Sequence, residues 1–269
     1  MDTPILEHNQ RAAAVWSSGG KDYDRVSHGI ASALEHCVHR LDPQTNERVL
    51  DLATGTGWTS RVVARRGAKV VGADIAEGLL DAARKRAAAE NLAIDYQLGD
   101  AEQLPFADGQ FDAVISSFGV MFASRPEVAA AEMARVCRKG GRLALATWLP
   151  DSSVFQMFTV MKEYMPPPPS PAPPSPFAWG KVERVRELLG QDFDLKFEPG
   201  TTVLHDSSGE SAWQTMSVGY GPTKMLAASL DDTRRAALHR DFAAFHDGFG
   251  TDLDIAVPRT YLVTLGTRR

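Results

Sequence analysis

Between Arg48 and Trp148, short apolar runs alternate with longer stretches whose apolar positions recur at helical spacing. RVLDL, KVVGAD, IDYQL, FDAVISSF and GRLALATW read as strands. Between them, WTSRVVARR, closed by Gly67, AEGLLDAARKRAAA and PEVAAAEMARVCRK read as helices, with Pro126 suited to the first turn of the last. Such alternation predicts parallel strands joined by right-handed crossovers, with helices on both faces. Residues 5 to about 45 read as helical, Val26, Ile30, Leu34, Val38 and Leu41 recurring after a Ser17–Gly20 turn. Beyond Trp148 the rhythm breaks. A helix over Ser153–Tyr164 leads to a proline-rich stretch, then a helix over Val182–Gly190 and a strand over Phe193–Leu204. Helices around Ala212 and over Asp232–Asp247 precede a final strand, Val257–Leu265. The last two strands leave no room for simple crossovers and are expected to pair antiparallel at the sheet edge.

The expected fold is therefore α/β: a doubly wound seven-stranded sheet, mostly parallel, with an antiparallel edge pair, N-terminal helices and a helical lid. Residues 1–45 form the N-terminal cap, 46–150 the core, and 151–192 the connector and lid helices. Residues 193–269 form edge strands with a helical insertion, all within one domain. Eight of the eleven residues from Pro166 to Pro176 are proline, a composition that favours polyproline II. With no other mark of a signalling protein, the stretch reads as a stiff connector between core and cap.

Hydrophobic residues at 43% and charged residues at 23% describe an ordinary globular chain rather than a disordered one. A net charge of −5 argues against a nucleic-acid partner, whose phosphates call for clustered Lys and Arg. The basic runs at Arg61–Arg66 and Arg84–Arg86 lie on helices and read as solvated faces. Cys37 and Cys137 fit no metal spacing and read as reduced thiols. The first ten residues do not resemble a signal peptide, and no apolar run reaches a membrane span, so a cytoplasmic, membrane-free protein is expected.

Within VLDLATGTGWTS, the glycine loop after the first strand is compatible with two nucleotides. Counted from Gly55 it approaches a dinucleotide fingerprint; counted from Asp51 it approaches a different pattern, D-L-A-T-G-T-G. Acidic residues decide the register, because Asp51, Asp74 and Asp100 fall at three successive strand ends, where open parallel sheets bind ligands. Gly55 and Gly57 let backbone amides approach a ligand, and the following helix N-terminus favours a carboxylate. Asp51 can orient the loop or meet an ammonium group. Asp74 suits paired ribose hydroxyls, and Asp100 an exocyclic amine with Ala101 giving a backbone N–H.

VLDLATGTG, VVGADIA, GDAEQLPFADGQFDAVISSFGVMF and EMARVCRKGGRLALATW follow one another in the order and spacing of a known family. The chain resembles the Rossmann-like class I S-adenosylmethionine-dependent methyltransferases, type 11-like, in the small-molecule branch that includes quinone-biosynthesis enzymes. The resemblance covers Arg48–Trp148 and implies S-adenosylmethionine as cofactor and S-adenosylhomocysteine as product. It implies cofactor contacts from Asp51, Ala53, Thr54, Gly55 and Gly57 of the loop. Asp74 would hold the ribose and Ile75 one adenine face, with Asp100, Ala101 and Glu102 at the adenine edge. Ser117 and Phe118 would border the methionine moiety, and Tyr23 would close over the cofactor. Ala53 stands where the family pattern has its first glycine, so slightly altered backbone geometry is expected there.

Methyl transfer from a sulfonium needs in-line positioning in a dry pocket, and a base only if the nucleophile must lose a proton. His28 and Tyr23 are the candidates for a catalytic group; His36 and His39, one turn apart, lack a third ligand, and no metal is expected. Aromatic residues of the lid, among them Phe158, Trp179, Trp213 and Tyr220, predict a small apolar or aromatic acceptor for methylation at O, N or C. A homodimer is left open. A rival reading is an NAD(P)-dependent oxidoreductase, supported by the Tyr220–Lys224 spacing, but Pro222 breaks the helical turn that pair requires. A further alternative is a cofactor-binding protein without catalysis.

Overall fold

The computed structural model describes residues 5–168, 170 and 172–269. Three short helices open the chain: α1 (Gln10–Ser17), α2 (Tyr23–His28) and α3 (Ala31–Leu41). They replace the near-continuous helical region expected there. Gly19, Gly20 and Gly29 fall at the breaks, where helix-weakening residues let the chain turn. The core follows as β1 (Arg48–Leu52), α4 (Trp58–Ala64), β2 (Lys69–Asp74), α5 (Glu77–Ala89), β3 (Ile94–Leu98), β4 (Phe111–Ser117), α6 (Pro126–Val136) and β5 (Cys137–Trp148). Beyond it lie α7 (Ser153–Lys162), α8 (Val182–Leu189), β6 (Phe193–Asp206), α9 (Gly209–Gly219), α10 (Gly221–Ser229), α11 (Asp232–Asp247) and β7 (Ile255–Arg268).

One seven-stranded sheet runs in the order β3-β2-β1-β4-β5-β7-β6, with β1 to β5 parallel and β7 antiparallel to both its neighbours. The buried faces of β1 and β4 carry Val49, Leu50, Ala113, Val114 and Ile115, the near-continuous apolar runs of strands covered on both sides. Strand order reverses between β1 and β4, opening a crevice at their carboxyl ends. β6 takes the sheet edge, a position in which a proline such as Pro199 is tolerated.

Three local readings change. The helix expected to run to Lys139 stops at Val136, and Cys137 already pairs with Phe111 in β5. Gly140, at φ +70°, and Gly141 supply the irregular turn before the regular ladder resumes at Arg142. Pro222 occupies the first turn of α10, a helix that periodicity missed, and so does not interrupt a helix interior. Tyr220 is therefore the residue before that helix and Lys224 lies inside it, its ammonium donating to the Ser18 carbonyl at 2.7 Å. The two are not a catalytic dyad on one helical face. Pro169 and Pro171 of the proline stretch lie outside the described residues. The stretch ends in a 3-10 turn, Pro176–Gly180, that returns to the core. There the Trp179 carbonyl accepts from Thr147 at 2.9 Å, and Gly180 packs so closely on the Trp148 carbonyl that a side chain would collide.

Candidate functional site

The crevice at the switch point holds a concave pocket that reaches from the glycine loop to the acidic ends of the second and third strands. The loop between β1 and α4 forms its floor. Asp51, 1% exposed, accepts from the hydroxyls of Thr54 at 2.6 Å and Ser60 at 2.7 Å, tying the loop to the first turn of α4. Burial pushes its carboxyl up to about 6. Asp51 and Thr54 thus brace the loop from beneath and do not line the pocket, whereas Ala53 and Gly55 do. Gly57, at φ +76°, also lies off the pocket, and a Cβ there would collide with the Tyr96 hydroxyl.

Asp74 ends β2 inside the pocket, its oxygens accepting from the Gly55 N–H at 2.8 Å and the Ala76 N–H at 2.9 Å. With no cation beside it among the described residues, burial raises this carboxyl to about 6 as well. Each oxygen keeps a lone pair for a ligand hydroxyl. Ile75 lines the pocket next to it. On the far side of the crevice, Asp100 accepts from the Glu102 N–H at 3.0 Å, the Leu6 N–H at 3.2 Å and the Asn9 amide at 2.9 Å. Glu102 meets the His8 ring at 2.8 Å and accepts from the Arg125 N–H at 2.8 Å. Asp100, Ala101 and Glu102 all line the pocket, and they hold the N-terminal segment over it.

Phe118 closes the other end. Its backbone sits at φ +60°, a conformation strained for a bulky side chain, and its ring stacks on Trp148 at 3.8 Å. Ser117, one residue earlier, points away from the pocket and accepts from Thr59 at 3.3 Å. Tyr23 covers Gly55 and stands 6.2 Å from Trp16 and 6.4 Å from Tyr220, ring to ring. Burial, and secondarily the carboxylate of Asp74, hold its phenol well above its ordinary value, so at neutral pH it is a donor and not a base. His28 is exposed beside Trp58, 5.7 Å between rings, and does not line the pocket.

The pocket also takes in residues the motifs did not mark. Asn9 and Trp16 come from the cap; Gly119 and Phe122 come from the turn after β4. Phe122 lies in the quoted SSFGVMF run, and Trp16 in the aromatic segment before the core, so composition held a signal for both. Asn9 carried none, since its partner Asp100 is more than ninety residues away.

A pocket across the switch point, with carboxylates after β2 and β3 and a glycine loop between, places the molecule among the α/β proteins that bind a nucleoside cofactor. Residues 50–145 match the family model described as a methyltransferase domain. Over 247 residues the chain is 34% identical to an uncharacterized protein of Mycobacterium tuberculosis, covering 90% of this chain and 89% of that one. It is 34% identical over 172 residues to a demethylmenaquinone methyltransferase of Corynebacterium kroppenstedtii, covering 61% of this chain and 72% of that one. The fold is that of the YcgJ protein of Bacillus subtilis, with a TM-score of 0.60 at 18% identity, over 88% of this chain and 98% of that one. The chain belongs to the class I S-adenosylmethionine-dependent methyltransferases.

Proposed function

We propose that the chain transfers a methyl group from S-adenosylmethionine to a small organic acceptor with an apolar or aromatic body. The observation that carries this reading is one pocket joining the carboxylates of Asp74 and Asp100 to the aromatic end at Phe118. Asp74 would accept from two ribose hydroxyls, and Asp100 and Ala101, beside Glu102, would meet the adenine edge. Ile75 and Leu79 supply apolar surface for the ring. The loop at Ala53 and Gly55 would face the methionine moiety, the Gly55 N–H being already given to Asp74. Polar groups at two separate places with apolar walls between them suit a nucleoside carrying an amino-acid tail.

When bound, the sulfonium supplies an already activated methyl group. What this chain must do is exclude water and hold the acceptor in line. Trp16, Tyr23, Phe118 and Phe122 give the dry wall. Tyr23 can donate a hydrogen bond to an acceptor oxygen, but it removes no proton. The reading therefore favours acceptors whose nucleophile is already competent at neutral pH.

A net charge of −5 supports a small molecule over nucleic acid as partner. Burial pushes the thiols of Cys37 and Cys137 up to about 12 and about 11, making them unreactive, as suits a cytoplasmic setting. Among the described residues no helix is long and apolar enough to cross a membrane. Isothermal titration tests the cofactor: S-adenosylhomocysteine should bind and NADH should not. Binding of NADH alone would overturn the reading in favour of an oxidoreductase. Binding of S-adenosylhomocysteine with no turnover of any methyl acceptor would favour a non-catalytic binder.

A further inference from the structure

Arg259 is buried, with 6% of its surface exposed. Its guanidinium makes no hydrogen bond or ion pair with any described residue, although other buried or half-buried arginines of the chain, such as Arg61 and Arg142, have carboxylate partners. The charged and titratable groups facing it are Tyr220, Asp206 and His246. None neutralises it. Tyr220 stays a phenol, since burial holds it well above its ordinary value even with an arginine near. Asp206 sits partly exposed and accepts from the Ser207 N–H at 2.8 Å. Burial pulls His246 down to about 4, so its ring is neutral. Burial lowers Arg259 itself only to about 10, so it is cationic at neutral pH.

A guanidinium on a largely buried side chain, with no partner among the described residues, is ordinarily paired with an anion. The position says what would pair it. Val257, Arg259, Tyr261 and Val263 form the inward row of β7, and Tyr261 registers with Trp148, the last residue of β5. Arg259 is therefore one inward step, about 7 Å, beyond the carboxyl end of β5, the side on which such sheets bind ligands. Aromatic contacts run from the cofactor pocket to Tyr220, which faces Arg259, through Tyr23 at 6.4 Å, and to Tyr261, two residues further along β7, through Phe118 at 5.9 Å. We propose that Arg259 is the anion-binding residue of the acceptor site, so that the acceptor is an acid: an apolar or aromatic body carrying an oxyanion, foremost a carboxylate. The fork of a guanidinium matches a carboxylate or a phosphate in bidentate geometry. The proposal rests on the methyl-transfer reading and narrows its acceptor class.

The test uses the full chain saturated with S-adenosylhomocysteine and three probes of one body: benzoate, benzamide and phenyl phosphate. Titration calorimetry should show benzoate bound at least about tenfold more tightly than benzamide. Arg259→Leu should abolish that preference while leaving S-adenosylhomocysteine affinity unchanged, and Arg259→Lys should keep part of it. With the buried charge gone, Arg259→Leu without ligand should melt at a higher temperature than the wild type; an arginine serving only structure would give a lower one. Equal binding of benzoate and benzamide, binding of neither, or an undiminished preference in Arg259→Leu overturns the proposal. If Arg259→Leu fails to fold, the wild-type comparison and Arg259→Lys still decide. Phenyl phosphate binding about tenfold above benzoate would identify the anion as a phosphate ester. Loss of S-adenosylhomocysteine binding by the wild type would instead sink the methyl-transfer reading.

Discussion

Ala53 sits at φ +56°, in the left-handed region that penalises any Cβ. Its methyl is accommodated because residue 119, directly opposite, is a glycine: a Cβ there would strike the Ala53 methyl, and the Ala53 carbonyl at 2.9 Å. The alanine in the loop and the glycine after β4 are thus one coupled choice. Ala53→Gly should stabilise the chain slightly, roughly 0.5–1 kcal/mol, relief of backbone strain exceeding the added chain entropy. Gly119→Ala should destabilise strongly in the wild type and less in the Ala53→Gly background. A double-mutant cycle in urea that gave additive effects would show the two positions to be independent. The odd alanine was legible in the sequence, because it interrupts a pattern. Its partner was not, since only the β1–β4 pairing brings residue 119 to it.

Asp74 makes a second residue-scale prediction, with a definite sign. Its carboxyl lies at about 6 in the folded protein against an ordinary 3.8, so folding favours its protonated form. The stability this gives is full below about pH 4 and is lost as pH rises through about 6. Hydroxyls donating to it favour the ionised form instead, so S-adenosylhomocysteine should bind more tightly as pH rises from about 5 to 7. Asp74→Asn should bind it more weakly by about 1–3 kcal/mol and show little of that pH dependence. An affinity that falls over this range would place the ligand's hydroxyls elsewhere.

Among the elements, the turn after β3 is where the core takes hold of the cap. Asp100 and Glu102 accept from Leu6, Asn9 and Arg125 and meet His8, so one short acidic turn fixes the entry into α1. Asn9 also accepts from the Ser124 hydroxyl at 2.6 Å, joining this turn to the one after β4. Asn9→Ala should therefore free residues 5–17, seen as faster amide hydrogen exchange, and weaken S-adenosylhomocysteine binding by about 1 kcal/mol. Exchange unchanged outside residue 9 would show that α1 is held by packing alone. Period-two and period-3.6 patterns made every strand legible, and most helices beside them. They failed where one element hands over to another within a residue or two. Cys137 passes from α6 into β5 without a break, and α10 begins two residues after α9 ends. A short helix packed among aromatics has no polar face to give it a period.

For the whole molecule, the roof of the pocket is assembled from segments some two hundred residues apart. α1 and the turn after it lie against α10, and Gly221 approaches the Val15 carbonyl so closely that a Cβ would collide with it. Tyr220, beside that contact, packs edge-on to Trp16 at 5.4 Å, and Trp16 lines the pocket. Local periodicity carries no information about such a meeting, which is why most elements of the lid were readable and their packing on α1 was not. Because α10 packs chiefly on α9 and α1 and not among the strands, a change here should separate binding from folding. Gly221→Ala must push α1 outward by about the depth of a methyl group, opening the wall formed by Trp16 and Tyr23. S-adenosylhomocysteine affinity should fall tenfold or more, about 1.4 kcal/mol, while the urea midpoint of the sheet core moves little. Alanine at 219 offers an independent check, since its Cβ would meet the Asp22 carbonyl at 2.5 Å, on the α2 side of the same roof. If both variants lost stability and affinity in proportion, cap and core would be one cooperative unit; if neither lost affinity, the pocket would close without help from the C-terminal lid.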